Sequence, residues 1–220
     1  NFDENRHKGE NDSYICTLIR QDSVEEFIIY VNRTNIDLKS EIVPSIFETN
    51  SFLFGKNPTL IEYAAFFGSI QIFRYLMMNN VELTPSIWLY IIHSKNAELI
   101  HLLESHNVPP PKSKRNEKEE KGEDNSINSY IQCLIESIKC HHNDISEYFK
   151  NNLIEFDKIN SKEYENTISS ILCYHNYFNF PTEFDKDDEF YYLCKYNYNE
   201  LVKLFAKKKE AFIIELIKKK

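Results

Sequence analysis

The chain has 220 residues, a net charge of −8, only four glycines and 42% hydrophobic residues, which is enough to bury a substantial core as one large domain or two small ones. The acidic balance argues against broad electrostatic binding to nucleic acid or anionic lipid, since that requires clustered Lys and Arg. No apolar stretch approaches the ~20 residues of a spanning helix, and no signal-peptide pattern opens the chain. Few glycines speak against a β-rich fold crowded with tight turns, and Leu, Ile, Phe and Tyr recur at helical spacing. An all-α, intracellular protein is expected.

Residues 1–12, NFDENRHKGEND, lack apolar periodicity and read as a flexible tail. The first helical region, 13–111, begins with the stripe Ile15, Leu18 and Ile19, then Asp22 or Ser23 as a cap, then a second stripe of Val24, Phe27, Ile28 and Val31. Asn35 to Phe54, with Pro44 and the short apolar run Ile46–Phe47, reads as a loop with a helical turn.

The segment Thr59–Glu82 carries the clearest unit. Ile61, Ala64 and Ala65 make one stripe, and the two alanines admit a close neighbour. Gly68 ends the helix in the left-handed conformation, Ser69 is a plausible N-cap, and Ile72, Phe73, Tyr75 and Leu76 line a second helix. Thr84-Pro85 is a helix start. Pro85 lies 27 residues after Pro58, and in that register Trp88 stands for Ile61, Ile91 and Ile92 for the alanines, Leu99 for Ile72 and Leu103 for Leu76. Asn79-Asn80-Val81 and His106-Asn107-Val108 mark equivalent turns.

Residues 112–127 are charged with both signs and carry no stripe, so a disordered insertion is expected there. The frame returns over 128–220: Leu134, Ile138, His141, Ile145 and Phe149 fall where Ile61, Ala65, Gly68, Ile72 and Leu76 stood. A helix over Tyr164–His175, with Ile168, Ile171 and Leu172, is stopped by Asn179-Phe180-Pro181 and has no clear second helix. FYYLCKYNYNELVKLF then repeats the frame with Phe190, Leu193, Cys194, Asn197, Leu201 and Phe205. The last stretch, 207–220, is lysine-flanked and amphipathic; it reads as a further repeat, with a membrane-surface or groove-binding helix as the alternative. Together with a first residue other than Met, it suggests an excerpt of a longer protein that continues into more repeats.

Thr59, Ile61, Ala64, Ala65, Gly68, Ile72 and Leu76 match, without a gap, the pattern Thr-Pro-Leu-His-x-Ala-Ala-x-x-Gly-His-x-Glu-Ile-Val-x-x-Leu. On these residues the chain resembles an ankyrin-repeat protein, and on SIKCHHNDI and FYYLCKYNYNELVKLF it is similar to the diverged helical repeats that precede regular ankyrin repeats in large protist ankyrin-protein families. The resemblance implies a repeat solenoid of stacked antiparallel helix pairs. Since the 27-residue spacing falls short of about 33, its hairpins should be short or missing. It further implies a non-enzymatic protein–protein interaction scaffold without cofactor, or alternatively an inert spacer or cap of a longer array. Contact residues should lie just before each first turn, at Phe66, Phe67, His93, Ser94, Lys139, Lys195 and Tyr196.

Two chemical readings compete with this one. The five cysteines, Cys16, Cys133, Cys140, Cys173 and Cys194, form no Cys-x-x-Cys pair and occupy apolar helix positions, as reduced, buried small side chains would. Cys140-His141-His142 with His175 offers zinc-type ligands, but adjacent ligands at a helix end diverge and no second cluster stands at zinc-finger spacing. Cys140 or Cys194 as a nucleophile would need an exposed thiol with an oriented base, whereas Cys194 takes the place of a buried alanine. No metal and no catalytic residue is expected.

Overall fold

A computed structural model describes residues 2–111, 130–155, 159, 161–180 and 187–207. The expected insertion at 112–127 and the basic amphipathic segment beyond residue 207 lie outside them. All regular secondary structure among the described residues is helical: α1 (Phe2–Lys8), α2 (Tyr14–Arg20), α3 (Val24–Thr34), α4 (Leu60–Phe67), α5 (Ile70–Met78), α6 (Ile87–Ser94), α7 (Ala97–Ser105), α8 (Ile131–Lys139), α9 (Asn143–Asn152), α10 (Ser161–Cys173), a 3-10 turn Tyr177–Asn179, α11 (Asp187–Lys195) and α12 (199–207). The chain divides into two compact units, Asn1–Lys114 and Arg115–Lys220.

In the first unit α2 packs on α4 and α4 on α6, while α3 packs on α5; each first helix also meets its own second helix, α2 with α3, α4 with α5, α6 with α7. This packing is consistent with a helical repeat. In the second unit α8 meets α9 and α10, and α10 meets α11. Most of the expected stripe residues lie in the core: Leu18, Ile19, Ile61, Ala64, Ala65, Trp88, Ile91 and Ile92 on first helices, and Phe27, Ile72, Leu76, Leu99 and Leu103 on second helices, are buried, whereas Ile15, Val24, Ile28 and Tyr75 are half-buried. In the second unit Leu134, Ile138, Ile145, Phe149, Ile168 and Leu172 are buried in the same columns. Trp88 satisfies its indole N–H on the Val108 carbonyl at 3.0 Å.

The joint inside each helix pair is one residue in the left-handed region. Gly68 has φ +73°, and the residues in its place have φ +51° (Asp22), +55° (Lys95), +55° (His141), +52° (His175) and +60° (Asn197). The following amide closes a 6→1 bond: Ser23 to Leu18, Ser69 to Ala64, His142 to Ser137, Asn176 to Ile171, Tyr198 to Leu193. At Lys95 a hydroxyl completes the link instead, for Ser94 Oγ donates to the Ile91 carbonyl at 2.7 Å and accepts the Asn96 N–H at 3.1 Å. In the first unit the second helices end alike, with Asn35, Asn80 and Asn107 left-handed and Ile36, Val81 and Val108 bonding back to Val31, Leu76 and Leu103.

These joints also tie neighbouring pairs together. Ser69, expected as an N-cap, makes no side-chain cap bond; its hydroxyl donates instead to the buried Ile19 carbonyl of the preceding pair at 2.5 Å. Asn176 donates likewise to Ile138 at 3.0 Å, and the Tyr198 hydroxyl to Leu172 at 3.0 Å. The accepting carbonyls all stand in the Ala65 column. Capping of α5 falls to Asp22, whose carboxylate accepts the Gln71 and Ile72 amides at 3.1 and 3.0 Å, putting a negative charge at the positive end of the helix dipole. Glu62 does similar work at the start of α4: it forms a capping box with Thr59 and accepts the Ser86 hydroxyl at 2.6 Å, joining α4 to the approach to α6.

Three expectations need correction. Residues 2–8 are helical rather than part of a flexible tail: acidic residues in the first turn, basic residues in the last and a Lys8–Glu4 pair suit a helix with no buried stripe. The tail is also fixed, since Asn11 is buried and donates to the Val43 carbonyl at 2.8 Å. Arg20 holds the same region, paired with Glu10 and donating to the Asn11 carbonyl and the Tyr63 hydroxyl. Finally, α6 starts at Ile87, because Thr84-Pro85-Ser86 forms a turn closed by Ile87 N–H on the Thr84 carbonyl.

The joint geometry has a measurable consequence. A Cβ on Gly68 would be left-handed and 3.3 Å from Ser94 Cβ, so Gly68→Ala should lower stability by about 1–2 kcal/mol. Lys95→Gly relieves the same strain where a side chain bears it and should raise stability by about 1 kcal/mol. Urea midpoints of the two variants should move in opposite directions; equal shifts would show that the joint conformation carries no strain.

Candidate interaction face on the first helices

The residues expected to contact a partner sit at the C-terminal ends of first helices, as the frame requires. In the first unit they form one aromatic cluster. Phe66 is buried at 7% exposure, with its ring 5.0 Å from Phe67 and stacked 4.8 Å from His93. Phe67 is half-buried, 4.7 Å from Tyr63, with the Arg20 guanidinium 5.9 Å from its ring centre. Ser94 is half-buried and spends its hydroxyl on the joint already described.

What the sequence reading missed is the ring that fills this cluster. Phe52 comes from the segment read as a loop and lies stacked on Phe66 at 5.8 Å, edge-on to Tyr90 at 5.1 Å and tilted against His93 at 4.2 Å. The Lys56 ammonium stands 3.2 Å from the centre of the Phe52 ring and 5.7 Å from that of Tyr90, a cation–π arrangement. Phe66 is therefore a correction: it belongs to the interior, because the chain's own loop lies over the face on which it was expected to be exposed. The signal available in the sequence was Asn50-Ser51-Phe52-Leu53-Phe54-Gly55, three apolar residues between two turn formers, a poor composition for a solvated loop.

The second unit presents its residues in a row across α8, α10 and α11. Lys139, half-buried, pairs with Glu136 at 3.3 Å and lies 5.9 Å from the Tyr174 ring centre at the end of α10. Tyr196 shares a hydrogen bond with Ser169 of α10 at 3.0 Å. The exposed Lys195 spans the Tyr192 and Tyr196 rings at 5.6 and 5.3 Å. Beside this row Tyr198 is pushed up to about 12 by burial, its hydroxyl bonded to Leu172 and to His175 Nδ1.

The five cysteines are free thiols, but only Cys16 and Cys133 are buried; Cys140 is half-buried, and Cys173 and Cys194 are exposed. The expectation that Cys194 replaces a buried alanine is corrected, even though it stands in the Ala65 column. Burial raises the Cys16 and Cys133 thiols above their ordinary range. Cys140, His141, His142 and His175 do not gather into one ligand set among the described residues; His141 and His175 instead occupy left-handed joints.

No helix among the described residues is long and apolar enough to cross a membrane. Comparison of the chain with protein-family models, with curated proteins and with solved structures finds no match.

Two outcomes follow from these positions. Phe66→Ala should cost about 3–5 kcal/mol of folding stability, the range for a buried Phe, seen as a lowered unfolding midpoint; a cost below ~1 kcal/mol would mean that the ring is not part of the core. Native-state alkylation followed by peptide mass mapping should modify Cys173 and Cys194 first and reach Cys16 and Cys133 only in denaturant. Modification of Cys133 at the rate of Cys194 would contradict the burial assigned here.

Proposed function

We propose that the chain is a non-enzymatic protein–protein interaction scaffold whose two units are runs of divergent, ankyrin-like helix pairs. The observation that carries this reading is the recurrence of the left-handed joint at Asp22, Gly68, Lys95, His141, His175 and Asn197. Three of these, Lys95, His141 and Asn197, stand where alignment to the ankyrin-like frame of Thr59–Leu76 puts the turn. Stacked pairs of this kind repeat the same first-helix positions side by side, and such surfaces suit extended protein partners. His93 and Phe67 in the first unit, and Lys139, Lys195 and Tyr196 in the second, are the contact residues in this reading. Aromatic rings there offer large contact area at low entropic cost.

The competing reading is an inert spacer or cap of a longer array, and one observation favours it: Phe52 already fills the first unit's aromatic cluster. Site-specific photo-crosslinking separates the two. With the crosslinker at Tyr196, a bound protein should be captured, and with it at Ile29, exposed on the second helix α3, capture should be absent. Lys195→Ala combined with Tyr196→Ala should weaken that complex by about 2 kcal/mol if these are anchors. Crosslinks of equal yield at both positions, or a complex untouched by the double variant, would favour the spacer.

A further inference from the structure

The segment from Ile42 to Pro58 is an Ω-type loop with a narrow neck. Its ends meet at the isolated antiparallel bridge Glu41–Thr59, where Ile42 N–H donates to the Pro58 carbonyl at 2.7 Å and Leu60 N–H to the Ser40 carbonyl at 3.2 Å. The near side of the loop is clamped to the N-terminal segment: Thr49 N–H donates to the Gly9 carbonyl at 3.0 Å, Ser45 Oγ to Asp12 at 2.8 Å, and the Phe2 and Phe47 rings lie 5.4 Å apart. Residues 50–57 lie between these fixed points.

That tip is built as its own small turn. Asn50 Oδ1 accepts the Phe52 and Leu53 amides, Phe54 N–H reaches the Asn50 carbonyl at 2.8 Å, and Lys56 N–H the Leu53 carbonyl at 3.0 Å. Gly55 provides the left-handed residue at φ +72°, with nothing near the place of a Cβ. The tip thus holds its shape by bonds within itself, and it meets the helices through the Phe52 ring. Between the tip and the near side of the loop lies a cavity of about 220 Å³ lined by Leu53, Phe54, Lys56, Ile42, Pro44 and Tyr63 among others, apart from the rings of Phe66, Tyr90 and His93. A segment pinned at both ends and bonded within itself lifts as one unit, and in lifting it exposes the buried Leu53 and parts the Phe52 ring from its three neighbours.

We propose that the tip Asn50–Asn57 is an internal plug, and that by lifting it exposes a ring slot formed by Phe66, Tyr90 and His93. The ligand of the open slot is a protein segment presenting an aromatic ring with a lysine one turn away, the arrangement in which Phe52 and Lys56 now fill it. The inference rests on the scaffold reading for its function, and it identifies the class of segment this face takes. Binding is self-limited: the tethered plug competes at the high effective concentration of a short loop, so a partner gains access only in proportion to the open population.

The test needs no natural partner, so its failure is distinct from failure of the scaffold reading. Amide hydrogen exchange on the full chain should show Phe54 and Lys56 exchanging about a hundredfold faster than the Phe73 amide inside the α4–α5 pair. A blocked peptide spanning Glu48–Pro58 is then titrated while the His93 and Tyr90 ring resonances are followed. It should saturate the Phe52→Ala chain at a concentration at least about tenfold lower than the parent chain, and the same peptide carrying Phe52→Ala should bind neither. Tip amides as protected as Phe73, or a peptide that binds parent and variant alike, or none that binds a variant with parent-like protection of α4 and α6, would each overturn the plug.

Discussion

Everything in this fold depends on a chain reversal that L-amino acids resist. Each joint between first and second helices puts one residue at positive φ, where a Cβ crowds the backbone at a cost of about 1–2 kcal/mol. Only Gly68 escapes that cost. Asp22, Lys95, His141, His175 and Asn197 accept it because the next amide is secured by a 6→1 bond, or through Ser94, and at Asp22, His141 and His175 the carbonyl three residues earlier takes a second donor from the following pair besides the joint's own amide. Ser69 on Ile19, Asn176 on Ile138 and Tyr198 on Leu172 are three different side chains that satisfy one kind of acceptor in one column. At these three joints the added bond, worth about 1 kcal/mol as a typical intramolecular hydrogen bond, fixes one pair against the next alongside the apolar stripes.

The apolar columns could be read from the sequence because they obey a simple period. Ile72, Leu99 and Ile145, or Leu76, Leu103 and Phe149, recur at fixed distances from a turn and are buried. The place of the turn is legible too: His141 and Asn197 align with Gly68, and the 27-residue register puts Lys95 there as well, although none is a glycine. What resisted reading was the polar bonding between pairs. Ser69 has the composition of an N-cap and acts as a cross-link; Asp22, taken as a cap for its own helix, caps the next pair's α5 instead. A hydroxyl or a carboxylate has no periodicity, so its partner 50 residues away leaves no trace in local spacing.

The candidate face was legible in place and misread in state. Phe66 and His93 do share a surface, as their register requires, but Phe52 arrives from a loop whose path no periodic argument constrains. The second unit shows the converse effect. Cys194 stands in a column that is buried elsewhere, yet among the described residues it is exposed. Phe190 in the Ile61 column is likewise only half-buried, and its cover comes from Phe205, stacked at 5.2 Å within its own pair.

The central claim is that non-glycine residues occupy the left-handed joint wherever the frame places it. Solution NMR measures this directly, from the backbone couplings and Cα and Cβ shifts that report the sign of φ at Asp22, Lys95, His141, His175 and Asn197. Positive φ at all five is the predicted result; helical or extended φ at Lys95 and His141 would contradict the repeat frame itself.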